Sequence, residues 1–143
     1  MRRAVYDQTR GYHEDFVFGE EELDLSYRAI LNGFEITYAP DIVVEHYPEP
    51  PVVAADGRAT SEIFYHARNR LFLAKQYLPA AYVAPYLIVW LARDGWRAVR
   101  ERQVGAFLAG VYSGMRRLKQ HHRTPLSDEA IAYLRANHGR LWF

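Results

Sequence analysis

Apolar and polar positions divide the chain into short segments, each with its own period. Residues 1–20 show no sustained period. Gly11 and Gly19 break them around a Phe16-Val17-Phe18 cluster, and they read as irregular. Glu21–Leu31 sets Leu25, Ile30 and Leu31 in a helical pattern behind an acidic first turn, with Asn32-Gly33 as the stop. Phe34–Tyr38 alternates Phe, Ile and Tyr with Glu and Thr, the period-two signature of a strand. The β-branched Ile42-Val43-Val44 reads as a second, buried strand ending near His46. Pro48-Glu49-Pro50-Pro51 cannot extend a ladder, so residues 48–59 are predicted to be a loop with a turn at Asp56-Gly57.

From there the pattern is helical. Thr60 or Ser61 is placed to cap a helix running to about Tyr77, with Ile63, Phe64, Ala67, Leu71 and Ala74 on one face. Pro79 ends it. Ala80–Arg100 is predicted as a helix bent or restarted at Pro85, and Val104–Leu118 as another, containing Gly105, Gly110 and Gly114. Ser127-Asp128-Glu129 opens a last helix to about Ala136. No βαβ unit is complete, and two short strands are too few for an independent sheet. The expected fold class is therefore α/β: the end of a sheet whose beginning is missing from the chain, followed by an α-helical tail.

Composition narrows this. The chain has 143 residues, half of them hydrophobic, enough for one domain or part of a larger one. It has no Cys, which excludes disulfides, thiolate catalysis and Cys-ligated zinc. The net charge of +1 hides an asymmetry: residues 1–92 carry 8 Lys/Arg against 13 Asp/Glu, residues 93–143 carry 10 against 4. The start, Met1-Arg2-Arg3-Ala4-Val5-Tyr6, lacks the apolar run of a signal peptide. The longest nearly uncharged apolar stretch, Leu78–Ala92, has fifteen residues, short of the ~20 a membrane span needs.

The densest chemistry is Gly19-Glu20-Glu21-Glu22-Leu23-Asp24, four carboxylates in five positions at a helix start. One reading is acidic dressing of a helix N-terminus, each carboxylate worth ~0.3–1 kcal/mol against the dipole. The other is a general base beside a loop, where crowded like charges raise one carboxylate's proton affinity. The alternating ligands and central Gly of an EF-hand are absent.

The run from Gly11 to Arg28, followed by Leu31–Asp41 and Val43-Val44-Glu45-His46, resembles the C-terminal part of the family 2 glycosyltransferases over about residues 2–47. A Gly-rich aromatic loop, an acidic helix start, a Gly-Phe-x-Ile-x-Tyr strand and a Val-x-His end fall in the family's order. Tyr65-His66-Ala67-Arg68-Asn69-Arg70-Leu71 is similar to the helix that follows there. The resemblance implies the C-terminal part of a GT-A, Rossmann-like domain over residues 1–78, with residues 79–143 a basic helical tail. It implies inverting transfer of a sugar from a nucleoside-diphosphate sugar to a glycan or lipid-linked acceptor.

By the same resemblance, Glu22 stands at the general-base position, usually Asp in the family, with Glu21 as the alternative. Asp24 orients or binds the acceptor. Arg68, Asn69 and Arg70 are candidates for donor or sugar binding, against solvated helix charges as the other reading. His46 is a candidate ligand for the Mg²⁺ or Mn²⁺ expected in the complete enzyme, against a strand-end His. The chain has no Asp-x-Asp motif, so alone it is expected to be inactive. A non-catalytic accessory module is the alternative.

The tail joins an apolar run to Arg93, Arg97, Arg100, Arg102, Arg116, Arg117, Lys119 and Arg123. Trp and Tyr beside Arg is the composition of an interfacial helix, against a helical hairpin packed on other protein. The expected setting is cytoplasmic, peripheral on an anionic membrane surface, with no nucleic-acid partner.

Overall fold

The structure, a computed structural model, describes residues 1–45, 47 and 62–137. The expected α/β architecture is overturned: among these residues all regular structure is helical. The helices are α1 (Arg3–Thr9), α2 (Glu21–Leu31), α3 (Glu62–Tyr77), α4 (Ala80–Arg100), α5 (Val104–Arg117) and α6 (Asp128–Ala136), with a 3₁₀ turn at Leu118–Gln120.

Both predicted strands lack ladder bonds. Phe34–Tyr38 and Ile42–Val44 run as irregular chain, with Tyr38, Val43 and Val44 more than 80% exposed. Backbone N–H and C=O groups make a strand only when a neighbouring strand takes them. The described residues offer none, so the alternating pattern goes unused. The front is also more ordered than expected at one point, since α1 occupies residues read as irregular. Arg10 in a left-handed conformation ends it. Arg28 of α2 then donates to the carbonyls of Thr9 and of Gly11, the latter at 2.7 Å.

Helix α3 is the axis of the molecule. Its residues 67–74 are all buried, although the apolar spacing marks only one face. Helix α5 lies along one side, where Gly110 faces the Phe64 carbonyl and Gly114 faces Leu71 and the Arg68 carbonyl. A Cβ at either glycine would overlap α3, so the small-residue spacing is a helix–helix seam. Helix α4 packs on another side and runs unbroken through Pro85. The two are joined by residues 101–103, and Gly95 of α4 meets the Phe107 ring of α5.

Tyr27, Ile30, Phe72, Leu73, Tyr77, Leu78 and Tyr86 form the core, closed from below by Leu126 and Ile131. Ser127 caps α6 as the sequence predicts, its Oγ accepting from Ala130 N at 3.2 Å. The predicted cap at Thr60 or Ser61 and the loop at 48–59 lie outside the described residues.

Candidate functional site

Loop 11–20 leads into α2 and presents the acidic run. Three consecutive residues of α3 hold it. The Asn69 amide donates to the carbonyls of Phe18 (2.9 Å) and Gly19 (2.7 Å). Arg68 donates to the Asp15 carbonyl at 2.5 Å and to Asn69 Oδ1 at 2.9 Å. Arg70 Nε meets Glu20 Oε1 at 3.0 Å. From the far side, Arg117 of α5 pairs with the Asp15 carboxylate, and buried His121 stands 3.7 Å from it while stacking on Phe72.

The last two residues of the loop are both left-handed, Gly19 at φ 72° and Glu20 at φ 69°. Gly19 is required there twice over, because a Cβ would also come within 2.8 Å of the His66 ring. Glu20 has no such freedom. A non-glycine residue in this region costs ~1–3 kcal/mol and persists only when its surroundings hold it. His66 Nδ1 at 3.2 Å and Arg70 at 3.0 Å do so.

Burial raises the Glu20 carboxyl. The His66 hydrogen bond and the Arg70 charge more than reverse that, and hold it below its ordinary 4.5. The cluster continues inward. Arg70 pairs with Asp94 of α4 at 3.1 Å and lies over the Trp90 ring at 4.0 Å. Burial pushes Asp94 up. Burial and then the Glu20 charge push the Tyr27 phenol up to about 12, and its hydroxyl has no hydrogen-bond partner among the described residues.

The carboxylates next along the chain have different fates. Asp24 is wholly buried, 2.5 Å from Arg28 and accepting from the Tyr77 hydroxyl at 2.6 Å. It ties α2 to α3 and is closed to a substrate. Glu21 is half-buried, with Oε2 shielded and unpartnered. Glu22 is exposed and makes no side-chain bond among the described residues. One turn on, Ser26 and Ala29 continue the Glu22 face of α2. These two, with Leu25, Phe34, Ile36 and Ile42, line an open groove of about 910 Å³.

The structure thus gathers Glu21, Glu22, Asp24, Arg68, Asn69 and Arg70 at one junction, but in two roles. Arg68, Asn69, Arg70 and Asp24 are inward and paired; Glu22 is exposed, and Glu21 is half-buried beside it. His46 lies outside the described residues. Among those residues no group of three His, Asp or Glu side chains converges to hold a cation. Sequence reasoning missed Glu20, His66, Asp15 and Arg117 as the loop's anchors. A signal was available: α3 is followed by two comparably apolar helices, which requires it to be buried on several sides and its charged residues to be paired.

The chain matches no protein-family model, no curated protein and no solved structure.

Proposed function

We propose that the chain supplies the acceptor-activating side of an inverting sugar transfer, with Glu22 as general base. The acceptor hydroxyl gives its proton to the Glu22 carboxylate as its oxygen bonds to the anomeric carbon. The nucleoside diphosphate leaves from the opposite face with the electrons of the broken C–O bond. A single in-line displacement of this kind inverts the centre. The observation that carries the reading is the isolation of Glu22. Glu20 and Asp24 are neutralised by Arg70, His66 and Arg28, which leaves one unpaired exposed carboxylate on a clamped helix start. A positioned base needs that rigidity, because misplacement by about an ångström is felt in the rate. The groove lined by Leu25 and Ser26, one turn along α2 from Glu22, is the berth assigned to the acceptor.

A second reading is an accessory module that transfers nothing. It is favoured by the commitment of Arg68, Asn69 and Arg70 to the loop and by their burial, with both Asn69 amide hydrogens already spent on loop carbonyls. Sugar transfer, read as nucleoside diphosphate released in the presence of acceptor, separates the two. The 143-residue chain alone is expected to be silent. Joined to a nucleotide-binding portion it is expected to turn over, and Glu22→Gln to lower the rate by ~10²–10⁴-fold with donor affinity and melting temperature unchanged. A near-normal rate in Glu22→Gln overturns the assignment.

A further inference from the structure

The inner faces of α4 and α5 are committed to α3. Trp90 and Asp94 of α4 close on Arg70, and Gly110 and Gly114 of α5 sit against Phe64, Arg68 and Leu71. Their outer faces are apolar and uncovered. Ile88, Trp96 and Val99 on α4, and Leu108, Tyr112 and Met115 on α5, are each 58–69% exposed. Helical spacing lines up each set of three as one stripe along its helix, and Gly95 against Phe107 sets the two helices side by side as a hairpin.

The charge around that face has one sign. Residues 80–123 contain eight Arg or Lys and two carboxylates. Both carboxylates are occupied, Asp94 by Arg70 at 3.1 Å and Glu101 by Arg97 at 2.7 Å. Helical spacing puts Arg93 and Arg100 along the flank of the α4 stripe, and Arg116 at the end of the α5 stripe, over Tyr112 at 5.7 Å. Arginine stems can lie along an apolar face while their heads reach outward.

We propose that this hairpin face docks on an anionic lipid surface, lying in the interface without crossing it. Apolar side chains with Trp and Tyr enter the acyl boundary, and the arginines meet phosphate headgroups. No helix among the described residues is long and apolar enough to cross a membrane. A second copy docked by the same face is a poorer occupant, since that face brings the same Arg93, Arg100 and Arg116 and its two carboxylates, Asp94 and Glu101, are already paired. The inference is independent of Glu22.

The test is co-sedimentation of the 143-residue chain with vesicles of phosphatidylglycerol in phosphatidylcholine, against phosphatidylcholine alone. Binding is expected to the anionic vesicles at low salt, about tenfold or more weaker on the neutral ones, and screened by high salt. Arg93→Ser and Arg100→Ser are each expected to weaken anionic binding about fivefold. The pair Leu108→Ser and Tyr112→Ser is expected to remove it with helical circular dichroism unchanged. No binding to anionic vesicles at low salt overturns the proposal. So does retention through a carbonate wash, which shows insertion, or binding that ignores both lipid charge and the arginine variants. Concentration-dependent dimers without vesicle binding assign the face to a second copy and overturn it as well.

Discussion

Two stretches of the front half meet opposite fates. Loop 11–20 is irregular backbone, yet Asn69, Arg68, Arg70, Arg117 and Arg28 all hold it, drawn from three helices. Segment 34–45 has the more regular pattern, yet its long-range hydrogen bonds among the described residues are two, both with the Tyr133 hydroxyl. The difference lies in partners. Carbonyls of a loop can be satisfied by any donor that reaches them, and α3 brings an amide and two guanidiniums. Strand groups need another extended backbone in register. A pattern states what a segment would do in company, and the fold decides whether the company is present.

The sharpest challenge to that account is Asn69→Leu. It keeps the branching and heavy-atom count and removes the amide, leaving the Phe18 and Gly19 carbonyls and Arg68 Nε short of a partner. Each unsatisfied buried group costs ~1–3 kcal/mol, so with three groups affected a loss of about 3 kcal/mol or more is expected in urea unfolding. Hydrogen exchange should speed up across residues 13–20 and stay as it was across 34–45. Equal loosening of both stretches would mean that the loop is not held independently.

Much of the helical frame was legible in the sequence. Glu21–Leu31, the bounds of Ala80–Arg100 and the Ser127 cap emerge as read, because caps, stops and apolar period act locally, while the break expected at Pro85 does not occur. The strands were not legible, because their existence depends on chain outside their own pattern. Of the site, the sequence located the junction but misjudged its division of labour. Arg68, Asn69 and Arg70 look like donors for a ligand in one dimension; α4 and α5 closing over α3 turn them inward. The separation of Glu22 from Glu20 depends on His66 and Arg70, 46 and 50 residues from Glu20.

Acid should weaken the clamped stretch selectively. The Glu20 carboxyl lies below its ordinary 4.5 in the folded chain, with Arg70, His66, Asp94 and Tyr27 around it. The unfolded chain therefore takes up the proton first as pH falls. The stabilisation from Glu20 is present above the unfolded value and lost as pH falls through the folded one. Melting temperature measured from pH 7 downward should drop across that window, and Glu20→Gln should flatten the drop while lowering the plateau. A variant with the same acid profile as the parent would remove Glu20 from the account.

The smallest effect should come from the segment with least company. The Tyr133 hydroxyl accepts from Ile36 N at 2.8 Å and donates to Ile36 O at 3.3 Å, both in exposed positions. Water can replace either bond once Tyr133→Phe removes the hydroxyl, so no group is left stranded. The expected cost is below about 1 kcal/mol, the net value of an ordinary hydrogen bond. The Ile36 amide should nevertheless lose what protection it has, while residues 13–20 keep theirs, since no bond links Tyr133 to the loop. Melting temperature would barely register the change, and amide exchange read residue by residue would. If Tyr133→Phe instead destabilised the chain as much as Asn69→Leu, segment 34–45 would be part of the cooperative core. Its exposed Tyr38, Val43 and Val44 would then need a different explanation from missing partners.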